Sequence, residues 1–299
     1  MPQDLSLSQP PLAAPRVALI GFGEAGCTFA DAGGWEDEVF AFDSEPSRRA
    51  AMEECGVRPA SSPAEALTGA EVVLSLVTAD QALLAARDYA PLLPKGALWI
   101  DMNSVAPHTK AAAAEAVEAA GARYADVAVM APVDPARLNV PLLIAGPHAA
   151  DAMVALRGLG FAKTRVVGDK VGQASAIKLC RSVMVKGLEA LTAEMVLAAN
   201  AAGVLDEVLA SLDASEKHVP WAERADYNLD RMIAHGLRRS AEMAEAAAML
   251  RDLGIAPLMT ENTVKRQQGI GELGIAPVPP TLDSKIAAIT HARQSQGED

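Results

Sequence analysis

The chain of 299 residues has only three cysteines, and none of its apolar runs reaches the ~18 residues that a bilayer span requires. Cys27, Cys55 and Cys180 are an odd number, and each sits inside a predicted element rather than in a loop framework. A disulfide scaffold is therefore excluded, and reduced thiols in a cytosolic protein are expected. Basic residues are scarce beside acidic ones, 26 against 38, and the formal net charge of -12 excludes a broad cationic surface for nucleic acid or anionic lipid. The N-terminal stretch MPQDLSLSQPPLAAP lacks the basic start and apolar core of a signal peptide. Met1 to Pro15 read as a mobile, proline-punctuated tail, the location is expected to be cytoplasmic, and no metal centre is expected.

What is present is a globular balance, 51% hydrophobic and 21% charged, in a chain long enough for two domains and a large core. Arg16 to Gly26, RVALIGFGEAG, is an apolar run that ends in Gly21-Phe22-Gly23-Glu24-Ala25-Gly26. A helix is expected over Ala25 to Ala32, followed by a strand from Glu38 to Phe42 that closes on Asp43. Strand, glycine turn, helix, strand and acid is the order in which a dinucleotide is bound. Gly21 permits the tight turn, Gly23 lets the backbone approach the pyrophosphate, and Gly26 lets the helix pack close to the strand. Asp43 stands about 20 residues beyond the first glycine, where a carboxylate accepts from the ribose hydroxyls. It would repel a 2′-phosphate and so favours NAD, but Arg48 and Arg49 could receive that phosphate, which leaves NADP open.

The alternation continues through strands at Glu71 to Val77, Ala97 to Met102, Arg123 to Met130, Pro141 to Ala145 and Thr164 to Val167. Helices are expected at Asp80 to Ala90, His108 to Ala120 and Ala149 to Leu159. This is an α/β pattern with a parallel sheet and helices on both faces, over residues 16–168. Ligands bind at the carboxyl ends of such strands, which puts Val77, Thr78, Asn103 and Ser104 beside the cofactor. From Asp169 onward only helices are predicted, and residues 169–299 form an all-helical substrate and dimerisation domain. Its first helix, Val171 to Ala202, is apolar on most of its circumference and is expected to be buried, between domains and against a second copy in a homodimer. Gly236 is expected to end one helix, Pro220 to Ala234, before the next begins at Leu237.

These segments resemble the β-hydroxyacid dehydrogenases, the group of 3-hydroxyisobutyrate dehydrogenase and of the 6-phosphogluconate dehydrogenase NAD-binding domain. RRSAEMAEAAAMLRDLGIAPLM resembles the branch with a DUF1932 C-terminal domain. The resemblance covers nearly everything from Arg16 onward. It implies that Gly21, Phe22, Gly23, Glu24, Ala25 and Gly26 hold the cofactor, and that Asp101 to Pro107 are the strand-end motif. It also implies that Lys178, six residues after Gly172, transfers the proton. Burial near the start of an apolar helix would lower a lysine's pKa toward the range of a general acid or base, which agrees. The alternative for a lone lysine is to snorkel to the surface.

Three departures accompany the resemblance. Ser182 stands where the family has Asn, preceded by Arg181, which could bind a carboxylate or form a surface ion pair. Met130-Ala131-Pro132 replace Ser-Gly-Gly, so a backbone N–H that would hold a substrate carboxylate is lost at Pro132 and Met130 suggests an apolar pocket wall. His235 replaces a lysine and could contact substrate, or cap a helix. The expected function is reversible hydride transfer between nicotinamide and a hydroxy acid or related alcohol or carbonyl compound. Lys178 is the expected acid/base, with Asn103, Ser104 and Ser182 positioning the oxygen. Imine reduction, oxidative decarboxylation and a non-catalytic NAD-sensing module are the alternatives.

Overall fold

The structure is a computed structural model and describes residues 16–35, 39–215 and 219–297. The expected tail, Met1 to Pro15, lies outside the described residues. The chain divides into two compact units, Met1–Ser182 and Val183–Asp299. The first begins with β1 (Val17–Ile20), α1 (Glu24–Gly33), β2 (Val39–Phe42), α2 (Arg48–Glu54), β3 (Arg58–Pro59), α3 (Pro63–Leu67) and β4 (Val72–Ser75). It continues through α4 (Ala82–Tyr89), β5 (Leu98–Asp101), α5 (Pro107–Ala119), β6 (Arg123–Val129), β7 (Leu142–Ala145), α6 (Ala149–Gly158) and β8 (Thr164–Gly168). The helix α7 (Gln173–Ala201) starts in this unit and runs on into the second, which adds α8 (Leu205–Ser215), α9 (Trp221–Asp252), α10 (Leu258–Gly271) and α11 (Leu282–Gln296).

The strands form one eight-stranded sheet in the order β3-β2-β1-β4-β5-β6-β7-β8. β1, β4, β5 and β7 are buried at every position, as a sheet covered on both faces requires. Alternate residues point to opposite faces: Val17, Leu19, Leu74 and Ile100 enter one core, and Ala18, Ile20, Val73 and Trp99 the other. The sheet is parallel except at one pair: β7 runs antiparallel to β6, and the segment between them holds a 3-10 turn, Arg137–Asn139, and no crossover helix. Periodicity does not predict α2, β3 or α3, which are too short to show a repeat. Ile20, Ser75 and Asp101 are in register at the ends of β1, β4 and β5, the side on which such sheets bind ligands, and the register continues to Asp126 in the middle of β6.

In the second unit α9 is continuous, and the expected break at Gly236 is absent. An added Cβ at Gly236 would lie 2.4 Å from the Gln267 carbonyl oxygen and 2.9 Å from the Gly271 nitrogen. This glycine lets α9 and α10 approach closely instead of ending a helix. On α7, Ile177, Met184, Leu188 and Leu191 are 42–46% exposed in the single chain.

No side chain at the start of α10 caps it, and Glu194 of α7 supplies the cap. Its Oε2 accepts from the Met259 N–H at 2.8 Å, while Oε1 accepts from the Thr260 N–H at 2.9 Å and the Thr260 hydroxyl at 2.5 Å. Burial works to raise the pKa of Glu194, but these hydrogen bonds outweigh it and hold the carboxyl below its ordinary value. Such a group stabilises the fold above the ordinary carboxylate pKa of about 4.3 and loses that contribution as pH falls through the lower folded value. Glu194→Gln is expected to cost about 1–3 kcal/mol at neutral pH in urea unfolding. The gap from wild type should close as the pH drops below about 4, and a gap independent of pH would overturn the ionised cap.

Candidate active site

β1 leads directly into the glycine turn, where each glycine meets a different constraint. Gly21 has φ +92°, and a Cβ there would lie 2.7–2.8 Å from the backbone of Leu76 and Val77. A Cβ at Gly26 would come within 2.8 Å of the Gly21 carbonyl oxygen, so α1 packs directly on the turn. At Gly23 an added Cβ meets nothing within 4 Å, and this residue is the N-cap of α1, which no side chain caps. An open, uncapped helix N-terminus at the end of β1 fits the pyrophosphate of a dinucleotide.

Phe22 is buried and takes part through its backbone: its N–H donates to Asp43 Oδ2 at 2.6 Å, and the Glu45 N–H donates to Oδ1 at 2.9 Å. The Asp43 carboxylate is thus held in place at the end of β2. A cleft of about 360 Å³ runs here, lined by Gly21, Gly23, Asp43, Glu45, Arg48, Val77 and Thr78. Cys27 of α1 and Cys55, just after α2, are free thiols with their sulfurs 3.1 Å apart. Burial, then the hydrogen bond to Cys27, pushes the Cys55 thiol up to about 12.

Leu76 and Val77 also line a second cavity, of about 340 Å³. Into it come Glu24 and Ala25 of the glycine turn, Met102, Asn103 and Ser104 after β5, and Lys178 of α7. The remaining wall is Val129 with Ala131, Pro132 and Val133. Lys178 is half-buried. Asn103 is 5% exposed; its amide NH₂ donates to Ser75 Oγ at 2.9 Å, and its Oδ1 has no partner. A buried acceptor left open beside this cavity fits a donor on a bound ligand. Met130 is not among the lining residues and packs on Ala128, Leu143, Ala145 and Ala174. Arg181 is exposed and Ser182 half-buried on α7, and neither lines the cavity. His235 is exposed in the middle of α9, in the second unit, rather than at a helix start.

Under the cavity lies a buried polar group that sequence reasoning missed. Lys110 of α5 is 0% exposed; its Nζ donates to Asp101 Oδ1 at 2.8 Å and to the Asp101 carbonyl at 2.6 Å, and stands 3.5 Å from Asp126 Oδ1. Tyr124 donates its hydroxyl to Asp101 Oδ2 at 2.6 Å. Burial first, and the Asp101 charge second, raise the Tyr124 phenol well above its ordinary value, so it stays a donor. The Asn103 N–H donates to Asp101 Oδ1 at 2.9 Å, which joins this group to the cavity. The available signal was Lys110 itself, which occupies the first place of the stripe Lys110, Ala113, Ala114, Val117 that α5 turns inward.

The family described as the NAD binding domain of 6-phosphogluconate dehydrogenase matches residues 16–155. A second family, described as a domain of unknown function (DUF1932), matches residues 199–270. The solved structure of a conserved hypothetical protein from Sinorhizobium meliloti 1021 is 34% identical, covers 93% of this chain and 97% of that one, and has a TM-score of 0.59. The 3-hydroxyisobutyrate dehydrogenase of Pseudomonas aeruginosa is 28% identical over 230 residues, 69% of this chain and 71% of that protein. An imine reductase from Streptomyces aurantiacus has the same fold, with a TM-score of 0.68 at 20% identity over 91% of this chain and 98% of that one.

The contrast between the glycines can be measured. Gly23→Ala has room and an ordinary φ of -78°, so it should melt as wild type does yet bind NADH at least about tenfold more weakly in a fluorescence titration. Gly21→Ala should instead lose about 1–3 kcal/mol of stability. Unchanged NADH affinity in Gly23→Ala would remove the pyrophosphate seat.

Proposed function

The chain belongs to the family that joins an NAD-binding domain of the 6-phosphogluconate dehydrogenase type to a DUF1932 domain, and on that premise we propose a hydride-transferring oxidoreductase with Lys178 as its proton carrier. The observation that carries this reading is the meeting of Lys178, Asn103 and Ser104 in one cavity that shares the lining residues Leu76 and Val77 with the cleft of the glycine turn. The proposed substrate is a hydroxy acid or a related alcohol or carbonyl compound.

A dinucleotide supplies the hydride carrier when bound, and the chain supplies its seat and the proton. Gly21, Gly23 and Gly26 open the turn for the pyrophosphate, and Asp43 receives the ribose hydroxyls. Asn103 Oδ1 is available to a donor on the bound molecules, and Ser104 can hold the reacting oxygen. In oxidation a neutral Lys178 takes the hydroxyl proton, and in reduction its ammonium form returns one to the oxygen. Asp43 and Glu45 make the ribose end of the cleft acidic, which favours NAD over NADP, although Arg48 stands beside them.

The wall of Ala131, Pro132 and Val133 favours a second reading, reduction of an imine, because Pro132 has no N–H to offer a carboxylate. A panel of 3-hydroxy acids, their oxo forms and cyclic imines separates the two. Lys178→Ala should lower turnover of the best substrate by at least about 10²–10⁴-fold with NADH affinity nearly unchanged, and near-wild-type turnover would sink the assignment. The exposed apolar residues Ile177, Met184, Leu188, Leu191 and Leu197 of α7 support a homodimer through the helical region. Sedimentation equilibrium should give twice the chain mass, and a monomer at micromolar concentration would refute this.

A further inference from the structure

α7 carries no capping side chain at its own start, because the residue before it is Gly172. The cap comes from β6, 46 residues earlier in the chain: Asp126 Oδ2 accepts the Gly172 N–H at 3.0 Å and the Ser175 N–H at 3.1 Å, and Oδ1 accepts the Ser175 hydroxyl at 2.6 Å. Asp126 is 0% and Ser175 2% exposed, so no water competes for these bonds. A negative carboxylate at a helix N-terminus is also favoured by the helix dipole. The same turn is pressed from the other side, since a Cβ at Gly172, at φ +94°, would lie 2.9 Å from Pro107 Cβ.

Asp126 is in turn held. Lys110 Nζ lies 3.5 Å from Asp126 Oδ1 and 2.8 Å from Asp101 Oδ1, so one buried cation ties together the carboxylates at the end of β5 and in the middle of β6. Those two residues are register partners in the sheet. The position of the first turn of α7 is therefore set by two neighbouring central strands. Lys178 stands three residues beyond Ser175, about 4.5 Å along the axis and on the same face of the helix. Where Ser175 is pinned, the backbone that carries Lys178 into the cavity is pinned with it.

We propose that Asp126, backed by Lys110, is the positioning residue for Lys178, acting through the first turn of α7. This rests on the reading of Lys178 as proton carrier. A shift of about 1 Å in a reacting group costs on the order of 10²-fold in rate, so the cap bears on chemistry as well as on stability.

The test uses the full-length protein and a substrate from the panel above. Asp126→Asn keeps the size and one acceptor but presents an amide NH₂ toward donors. It should lower kcat about 30–100-fold while KM and the NADH Kd stay within about twofold. Ser175→Ala removes one bond and should lower kcat about 2–10-fold. In the Lys178→Ala background, adding Asp126→Asn should lower kcat no further, because the group it positions is gone. A merely structural Asp126 gives a lower Tm with full kcat per folded molecule, or losses that multiply in the double variant, and either result overturns the proposal. If Asp126→Asn does not fold, Ser175→Ala alone and combined with Lys178→Ala make the same comparison. Wild-type turnover in Lys178→Ala, or no turnover of any compound by the wild type, removes the proton-carrier reading itself and this proposal with it.

Discussion

One carboxylate, Asp126, joins the sheet to the helix on which the proposed proton carrier stands. A helix start leaves N–H groups that its own backbone cannot satisfy, and the residue just before α7 is a glycine that has no side chain to offer. The cap therefore had to come from elsewhere in the fold, and it comes from the middle of β6. Glu194 repeats the arrangement further along the same helix, where it caps α10 from outside. α7 is thus the receiver of one remote cap and the giver of another.

Buried charge is expensive unless paired and hydrogen-bonded, and a broken pair costs far more than an intact one returns. Lys110, Asp101 and Asp126 meet that condition: the lysine bridges two carboxylates, Tyr124 donates to one, and a helix N-terminus and a serine hydroxyl donate to the other. The group is better described as a fixed platform than as a source of stability. Its upper side is Asn103, whose backbone bonds Asp101 and whose side chain keeps one acceptor open beside the cavity.

The cleft at Asp43 and the cavity at Lys178 differ in chemistry. The cleft is acidic and fixed, because both oxygens of Asp43 are already engaged by backbone N–H groups. The cavity mixes one cation and two small polar residues with an apolar wall of Val129, Ala131, Pro132 and Val133. That wall replaces the backbone donors expected of a Ser-Gly-Gly segment, and it bears on which molecule is turned over more than on whether a hydride moves.

Much of the fold was legible because its signals are local. The Gly21 to Gly26 turn, the strand runs and the change from alternating to helical pattern each sit within a short window of sequence. Lys178 was marked by the resemblance of the Gly172 to Lys178 segment to a family motif, and one cavity is lined by Lys178, Asn103 and Ser104. What sequence could not supply depends on partners far along the chain. Gly236 looks like a helix end until the Gly271 backbone is seen against it. Met130 looks like pocket wall until strand alternation turns it toward Leu143 and Ala174. Lys110 looks like a surface lysine in an alanine-rich helix. Sequence by itself determined the dinucleotide fold, since hydrophobic period and glycine spacing are properties of neighbouring residues, whereas the family resemblance is what marked Lys178. Only tertiary structure decided that Asp101, Lys110 and Asp126 form one buried group joined to Asn103, because register across strands and the cap of α7 exist only once the chain has closed.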